Sequence, residues 1–202
     1  MKLIKLSILA GIAAALAIAV VGPSSAMAES TVLCKVDESP CAEANWVKKV
    51  SFTAKGVSFE TIESEAEGGY NYQCEATLAA EALGLGSPQI LDVTNLQFTN
   101  CNQGCTRTVT KNGTLKVSRT GNETAEVVGE GGEIVVKCSI GTNCVFDLGG
   151  AAGQLTGPLL TGTTAHLTYT KAALHKIGGL FCPKEVRLSA IFVASESFYV
   201  SS

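Results

Sequence analysis

Thr106-Arg107-Thr108-Val109-Thr110, Thr114-Leu115-Lys116-Val117-Ser118, Thr124-Ala125-Glu126-Val127-Val128 and Ile134-Val135-Val136-Lys137-Cys138 are four strand-forming runs. They are separated by Lys111-Asn112-Gly113, Thr120-Gly121-Asn122 and Gly129-Glu130-Gly131-Gly132. Asn-Gly between strand formers is the strongest short-range hairpin signal, because a type I′ turn needs positive φ at both central residues. The spacing leaves no room for helices and predicts four strands in an antiparallel meander.

Period-two patterning continues on either side. In residues 70–78, Tyr70, Tyr72, Cys74, Ala76 and Leu78 share one parity, while Asn71, Gln73, Glu75 and Thr77 share the other. One strand face is therefore apolar and the other wet, with Cys74 inward. Further strands are expected at 47–54, 57–62, 91–100, 165–170, 186–194 and 198–200. The run Leu188-Ser189-Ala190-Ile191-Phe192-Val193 carries apolar groups on both faces and so reads as central. Residues 75–83 are ambiguous, since Ala76, Ala79, Ala80 and Ala82 favour helix and Gly84 could cap it. Residues 169–176 are a weaker helical candidate, and the Gly-rich 149–162 reads as loop. Short strands with frequent turn signals give an all-β antiparallel sandwich or partly closed barrel. The expectation is one continuous β domain, or two packed lobes meeting near residue 130.

The first residues direct the chain outward. Lys2 and Lys5 precede an apolar run over 6–21, Gly22-Pro23 breaks it, and Ala26-Met27-Ala28 offers small-x-small cleavage chemistry. Residues 1–28 read as a signal peptide to be removed, leaving 29–202 as a secreted β domain. Cys34 lies well past the apolar run, which argues against a lipid-modified cysteine. After cleavage no stretch is long and apolar enough to span a bilayer. An outer-membrane barrel would need aromatic girdles, and aromatics are only 6% of the chain. The full chain has 202 residues, and removing 28 leaves 174 with 13 basic against 18 acidic groups, a balance of −5. With only three arginines, it is a poor nucleic-acid binder. A 46% apolar content argues against disorder.

Eight cysteines in an exported domain are most simply four disulfides. Proximity ranks Cys34/Cys41, Cys101/Cys105 and Cys138/Cys144 first, leaving Cys74/Cys182 by elimination. A competing scheme joins Cys74 to Cys101 and frees Cys105 for Cys182. Zinc ligation is disfavoured, because the spacers are wrong and His166 and His175 lie far from the cysteine pairs.

No nucleophile elbow, H-E-x-x-H zinc motif or phosphate loop is present in the sequence. His166 is expected on a solvent-facing strand position and His175 in a surface turn. Glu60, Glu63, Glu65 and Glu67 read as a solvated loop; calcium would need their oxygens to converge, and EF-type spacing is absent. Trp46, Tyr70, Tyr72, Tyr169 and Tyr199 are the aromatics available for a sugar platform, with Tyr70 and Tyr72 expected in the core. Asn112-Gly113-Thr114 and Asn122-Glu123-Thr124 match the glycosylation sequon, although turn chemistry already explains both asparagines.

The segments Thr31-Val32-Leu33-Cys34, Ser39-Pro40-Cys41, Phe98-Thr99-Asn100-Cys101, Val136-Lys137-Cys138, Cys144-Val145-Phe146, Phe181-Cys182-Pro183 and Phe198-Tyr199-Val200-Ser201 follow one another in order. In this the chain resembles small secreted cysteine-rich proteins that soil actinobacteria encode in many copies. The resemblance implies a non-catalytic extracellular protein and transfers no site residues. The expected function is a secreted structural or binding protein without catalytic residues, cofactor or metal, with a cell-surface or glycan ligand as the partner class left open. The alternatives are a secreted hydrolase, or a carbohydrate- or calcium-binding module.

Overall fold

The computed structural model describes residues 30–61, 71–102, 104–138, 143–158 and 164–202. The expected leader, Glu63, Glu65, Glu67 and Tyr70 lie outside them. Among the described residues thirteen strands follow in order: β1 (Val32–Cys34), β2 (Lys49–Thr61), β3 (Asn71–Ala82), β4 (Gln89–Thr99), β5 (Cys105–Lys111), β6 (Thr114–Gly121) and β7 (Thr124–Glu130). Then come β8 (Glu133–Cys138), β9 (Asn143–Asp147), β10 (Ala152–Thr156), β11 (His166–Gly178), β12 (Glu185–Ala194) and β13 (Tyr199–Ser201). A short 3₁₀ turn spans Glu43–Asn45.

Eight strands close a barrel in the order β10-β7-β6-β4-β3-β2-β12-β11, with β11 pairing back onto β10. Every described ladder is antiparallel. The expected all-β, disulfide-stapled architecture is thus present, as a closed barrel with added strands. β11 leaves the barrel beyond its bulge at Tyr169/Ala172 and pairs with β9, which continues through β8 to β5 as a side sheet.

The meander over 106–140 does not form. β6 pairs β7 in the barrel, whereas β5 pairs β8 in the side sheet, so the two outer runs meet around the inner hairpin. Asn112-Gly113 is therefore a corner between two sheets. Asn112 Nδ2 donates to Thr94 O at 3.1 Å, and Gly113 has φ +72° with Glu130 O and Gly132 N where a Cβ would sit. The chain crosses a second time beside it, at residues 130–133. The boundary expected near residue 130 is this crossing, yet barrel and side sheet share one apolar core.

β3 alternates inward and outward along its length, and β2 does so on either side of its bulge between Ala54 and Val57, which is how a period-two sequence fills a barrel. Inward residues include Phe52, Val57, Phe59, Cys74, Ala76, Leu78 and Ala80. Outward ones include Lys49, Ser51, Thr53, Gln73, Glu75 and Thr77, the reverse of a lipid-facing apolar band. The alanine-rich 75–83 is strand, because pairing on both flanks to β2 and β4 outweighs a weak helical preference. The helical alternative at 169–176 is likewise strand, in β11. β12 is central as expected, but its outer face is not covered: Ile191 is 57% exposed.

β10 lies inside the stretch read as loop, and it closes the barrel. Gly153 is required there, since an added Cβ would come within 2.8 Å of the Tyr169 ring and 2.9 Å of Thr168 O. The ribbon of β1 and β13 plugs one mouth. β1 pairs β13, Thr31 N donates to Gly86 O at 2.8 Å, and Arg119 N donates to Thr31 Oγ1 at 3.0 Å. Leu33, Phe198 and Val200 of this ribbon are buried, and Phe198 meets Phe52 edge-to-face at 5.9 Å. Such a ring pair is worth about 0.5–1.5 kcal/mol beyond its burial.

All eight cysteines are disulfide-bonded: Cys34–Cys41, Cys74–Cys101, Cys105–Cys138 and Cys144–Cys182. The first is the pairing ranked by proximity, and the second belongs to the competing scheme. The pairs Cys101/Cys105, Cys138/Cys144, Cys74/Cys182 and Cys105/Cys182 do not form. The reason is register. Cys105 and Cys138 stand directly opposite each other on β5 and β8, while Cys144 stands opposite Val136. Cys101, just past β4, turns toward neighbouring β3 as the chain reverses through Asn100 (φ +51°) and Gly104 (φ +65°).

Candidate functional site

A cleft of about 380 Å3 opens beside the plugged end of the barrel, bordered by Lys35, Trp46, Lys48, Lys49, Ser195 and Glu196. Its shape follows from the first staple. Cys34–Cys41 closes a short loop in which Glu38 Oε1 accepts from Ala42 N at 2.8 Å and Asn45 Nδ2 at 2.7 Å. These bonds, Asn45 first, hold the Glu38 carboxyl below its ordinary range. Trp46 follows the 3₁₀ turn, and its Nε1 donates to the Cys41 carbonyl at 3.1 Å, leaving the indole half-buried at the cleft wall. The far wall is tied to β2 by Ser195, whose N and Oγ both donate to Ser51 O, at 2.8 and 3.1 Å.

The cleft has a sign. Lys35, Lys48 and Lys49 outnumber Glu196 along its lining. Lys49 is partly neutralised by Glu81 at 2.7 Å. In an acidic chain, a cationic concavity attracts anions and concentrates them.

A second unusual environment lies where the side sheet faces the far halves of β2 and β3. Arg107 of β5 is 6% exposed, and its guanidinium carbon lies 5.1 Å from the Phe59 ring centroid and 4.9 Å from that of Tyr72. Nη1 donates to Cys105 O at 3.2 Å; Nε and Nη2 are buried with no partner among the described residues. Burial pushes the guanidinium below its ordinary range. The sign in the sequence that Arg107 points inward is its shared parity with Cys105 and Val109, a signal that a lone arginine in a threonine-rich run masks.

The remaining candidates separate. His166 faces outward on β11 as expected, but His175 is on the same strand and not in a turn. The nine-residue interval places them about 30 Å apart along the strand. His175 Nδ1 lies 3.5 Å from Glu185 Oε2 with 65% of its side chain exposed. Glu60 is a strand residue of β2. Tyr169 is core, its ring edge-on to Phe192 at 6.2 Å and its hydroxyl pushed upward by burial. Tyr72 underlies Arg107, and Tyr199 belongs to the terminal ribbon. Cys34, Glu38 and Cys41 bring their ligand-type atoms within 4.8 Å of one another, but disulfide sulfurs offer no thiolate to a metal. An apolar void of about 50 Å3 inside the barrel, lined by residues such as Leu78, Val93, Phe98 and Phe192, is a packing gap too small for a sugar. Among the described residues no helix is long and apolar enough to cross a membrane.

Comparison of the chain with protein families, with curated proteins and with solved structures yields no match.

Proposed function

We propose that the chain is an exported, non-catalytic binding protein whose cleft beside Trp46 takes an anionic glycan. The observation that carries this reading is the pairing of one half-buried indole with Lys35 and Lys48 in a concavity of about 380 Å3. An indole face packs against the C–H face of a sugar ring, lysines attract its carboxylates, and the hydroxyls of the cleft's serines suit a hydroxyl-rich ligand. Four disulfides fit an oxidising compartment, and the leader-like first 28 residues and the actinobacterial resemblance support export. The two histidines, held far apart on one strand, support a binding role over hydrolysis.

Trp46 is the only tryptophan of the chain, so its emission reports the cleft directly. Titration with oligogalacturonate is expected to quench or shift that emission saturably. Lys35→Ala/Lys48→Ala should weaken the effect on the order of tenfold, and raised salt should weaken it further. A neutral cello-oligosaccharide should bind less tightly. Emission that ignores oligogalacturonate, or binding indifferent to both lysines, refutes the proposal.

A further inference from the structure

We propose that Arg107 anchors a second, interior site, independent of the Trp46 cleft, and that its ligand is a monocarboxylate carrying an apolar group. The inference starts from an imbalance. A permanently charged guanidinium is withdrawn from water, yet no carboxylate pairs with it among the described residues, and two of its three nitrogens lack an acceptor. Buried unpaired charge costs several kcal/mol, and natural interiors rarely carry it without a counterpart. The rings of Phe59 and Tyr72 compensate part of that cost through cation–π attraction. They supply no hydrogen-bond acceptor.

The unused donors define the ligand. Nε and Nη2 lie on the same edge of the planar guanidinium, so their N–H groups run parallel and match the two oxygens of a carboxylate. Nη1, on another edge, is already committed to Cys105 O. The fork is held still. Arg107 is two residues from the Cys105–Cys138 staple, and its guanidinium rests on two rings that are register partners across β2 and β3. A preorganised fork loses little freedom when it binds.

The surroundings set the rest of the chemistry. One cation can neutralise one negative charge; a dianionic phosphate would bring surplus charge among Phe59, Phe98 and Val136. Phe98 packs edge-on to Phe59 at 5.4 Å, extending the apolar wall beyond the guanidinium. The route of entry we assign is the seam between β5, which is the last strand of its sheet, and residues 95–99 of β4, since no ladder joins the two. Opening that seam breaks no backbone pairing between them.

Benzoate is the probe, with inorganic phosphate as the dianionic control. Nitrogen-edited NMR of the wild-type protein follows the Arg107 side-chain Nε–H. Benzoate is expected to move that resonance downfield in a saturable manner, and phosphate is expected to leave it in place. Arg107→Lys keeps a charge but loses the fork, and should bind benzoate on the order of tenfold more weakly. Arg107→Met fills similar space without charge; it should fold, show no benzoate binding, and be at least as stable as the wild type without ligand. An Nε–H signal that benzoate leaves unmoved, or Arg107→Lys binding as tightly as the wild type, overturns the proposal. Because Trp46 emission and the Arg107 resonance are separate readouts, failure of one site leaves the other intact.

Discussion

Glu123→Gln removes a carboxylate that the fold holds at an unfavourable place. Glu123 sits in the two-residue turn between β6 and β7 at φ +59°, is 6% exposed, and has Oε2 buried with no partner among the described residues. Gly157 packs so closely on it that an added Cβ would collide with that oxygen. Burial, and secondarily Asp37, push its pKa up to about 6, against the opposing pull of Arg119 and of the Val200 N–H. The rise from 4.5 to about 6 corresponds to at most about 2 kcal/mol, and about 1 kcal/mol after solvent screening. The folded carboxyl holds its proton more tightly than the unfolded one, so stability declines as pH rises from about 4.5 to about 6. The penalty is complete above that window and absent below it. Glutamine keeps the shape and the acceptor for Val200 without the charge. Urea unfolding with disulfides intact, followed by Trp46 emission, should show Glu123→Gln more stable by about 1 kcal/mol above about pH 7 and equal to wild type below about pH 4.5. A variant that is less stable at neutral pH, or whose advantage persists in acid, refutes the reasoning.

Two further outcomes follow from covalent and steric constraints. Cys105→Ser/Cys138→Ser opens a link with sequence separation 33 and should cost about 3–4 kcal/mol in chemical denaturation. The same variant should leave no free thiol, because Cys101 is paired to Cys74; a thiol appearing on Cys101 would contradict the register argument. Gly153→Ala, pressed against Tyr169, should lose about 1–3 kcal/mol. Gly56→Ala, with open space around its Cβ, should stay within about 0.5 kcal/mol, and equal effects at the two sites would refute the close-approach account of β10.

The places where sequence reading and structure part company share a cause. Asn112-Gly113 carries the local chemistry of a hairpin, yet only Gly113 adopts positive φ, whereas a type I′ turn needs it at both residues. Whether the flanking strands then pair with each other or with others depends on partners far along the chain, which turn chemistry does not encode. β10 was illegible for the converse reason: Ala152-Gly153-Gln154-Leu155-Thr156 has Thr156 as its one strand former, and becomes a strand because β7 and β11 offer it two ladders and Tyr169 requires a glycine. Of the candidate sites, Trp46 was visible as a lone aromatic after the first staple. Lys35, Lys48 and Ser195 were not, since their convergence depends on the end of β12 folding back over the start of β2.

By itself the sequence determined an antiparallel all-β chain, the inward face of β3, and eight cysteines able to pair, because alternation and residue type act within a few neighbours. Only the tertiary structure decided which strands close the barrel, which cysteines meet, and that Arg107 lies buried on two aromatic rings. Those outcomes depend on contacts between residues distant in sequence, whose energies exist only once the sheet has curled upon itself.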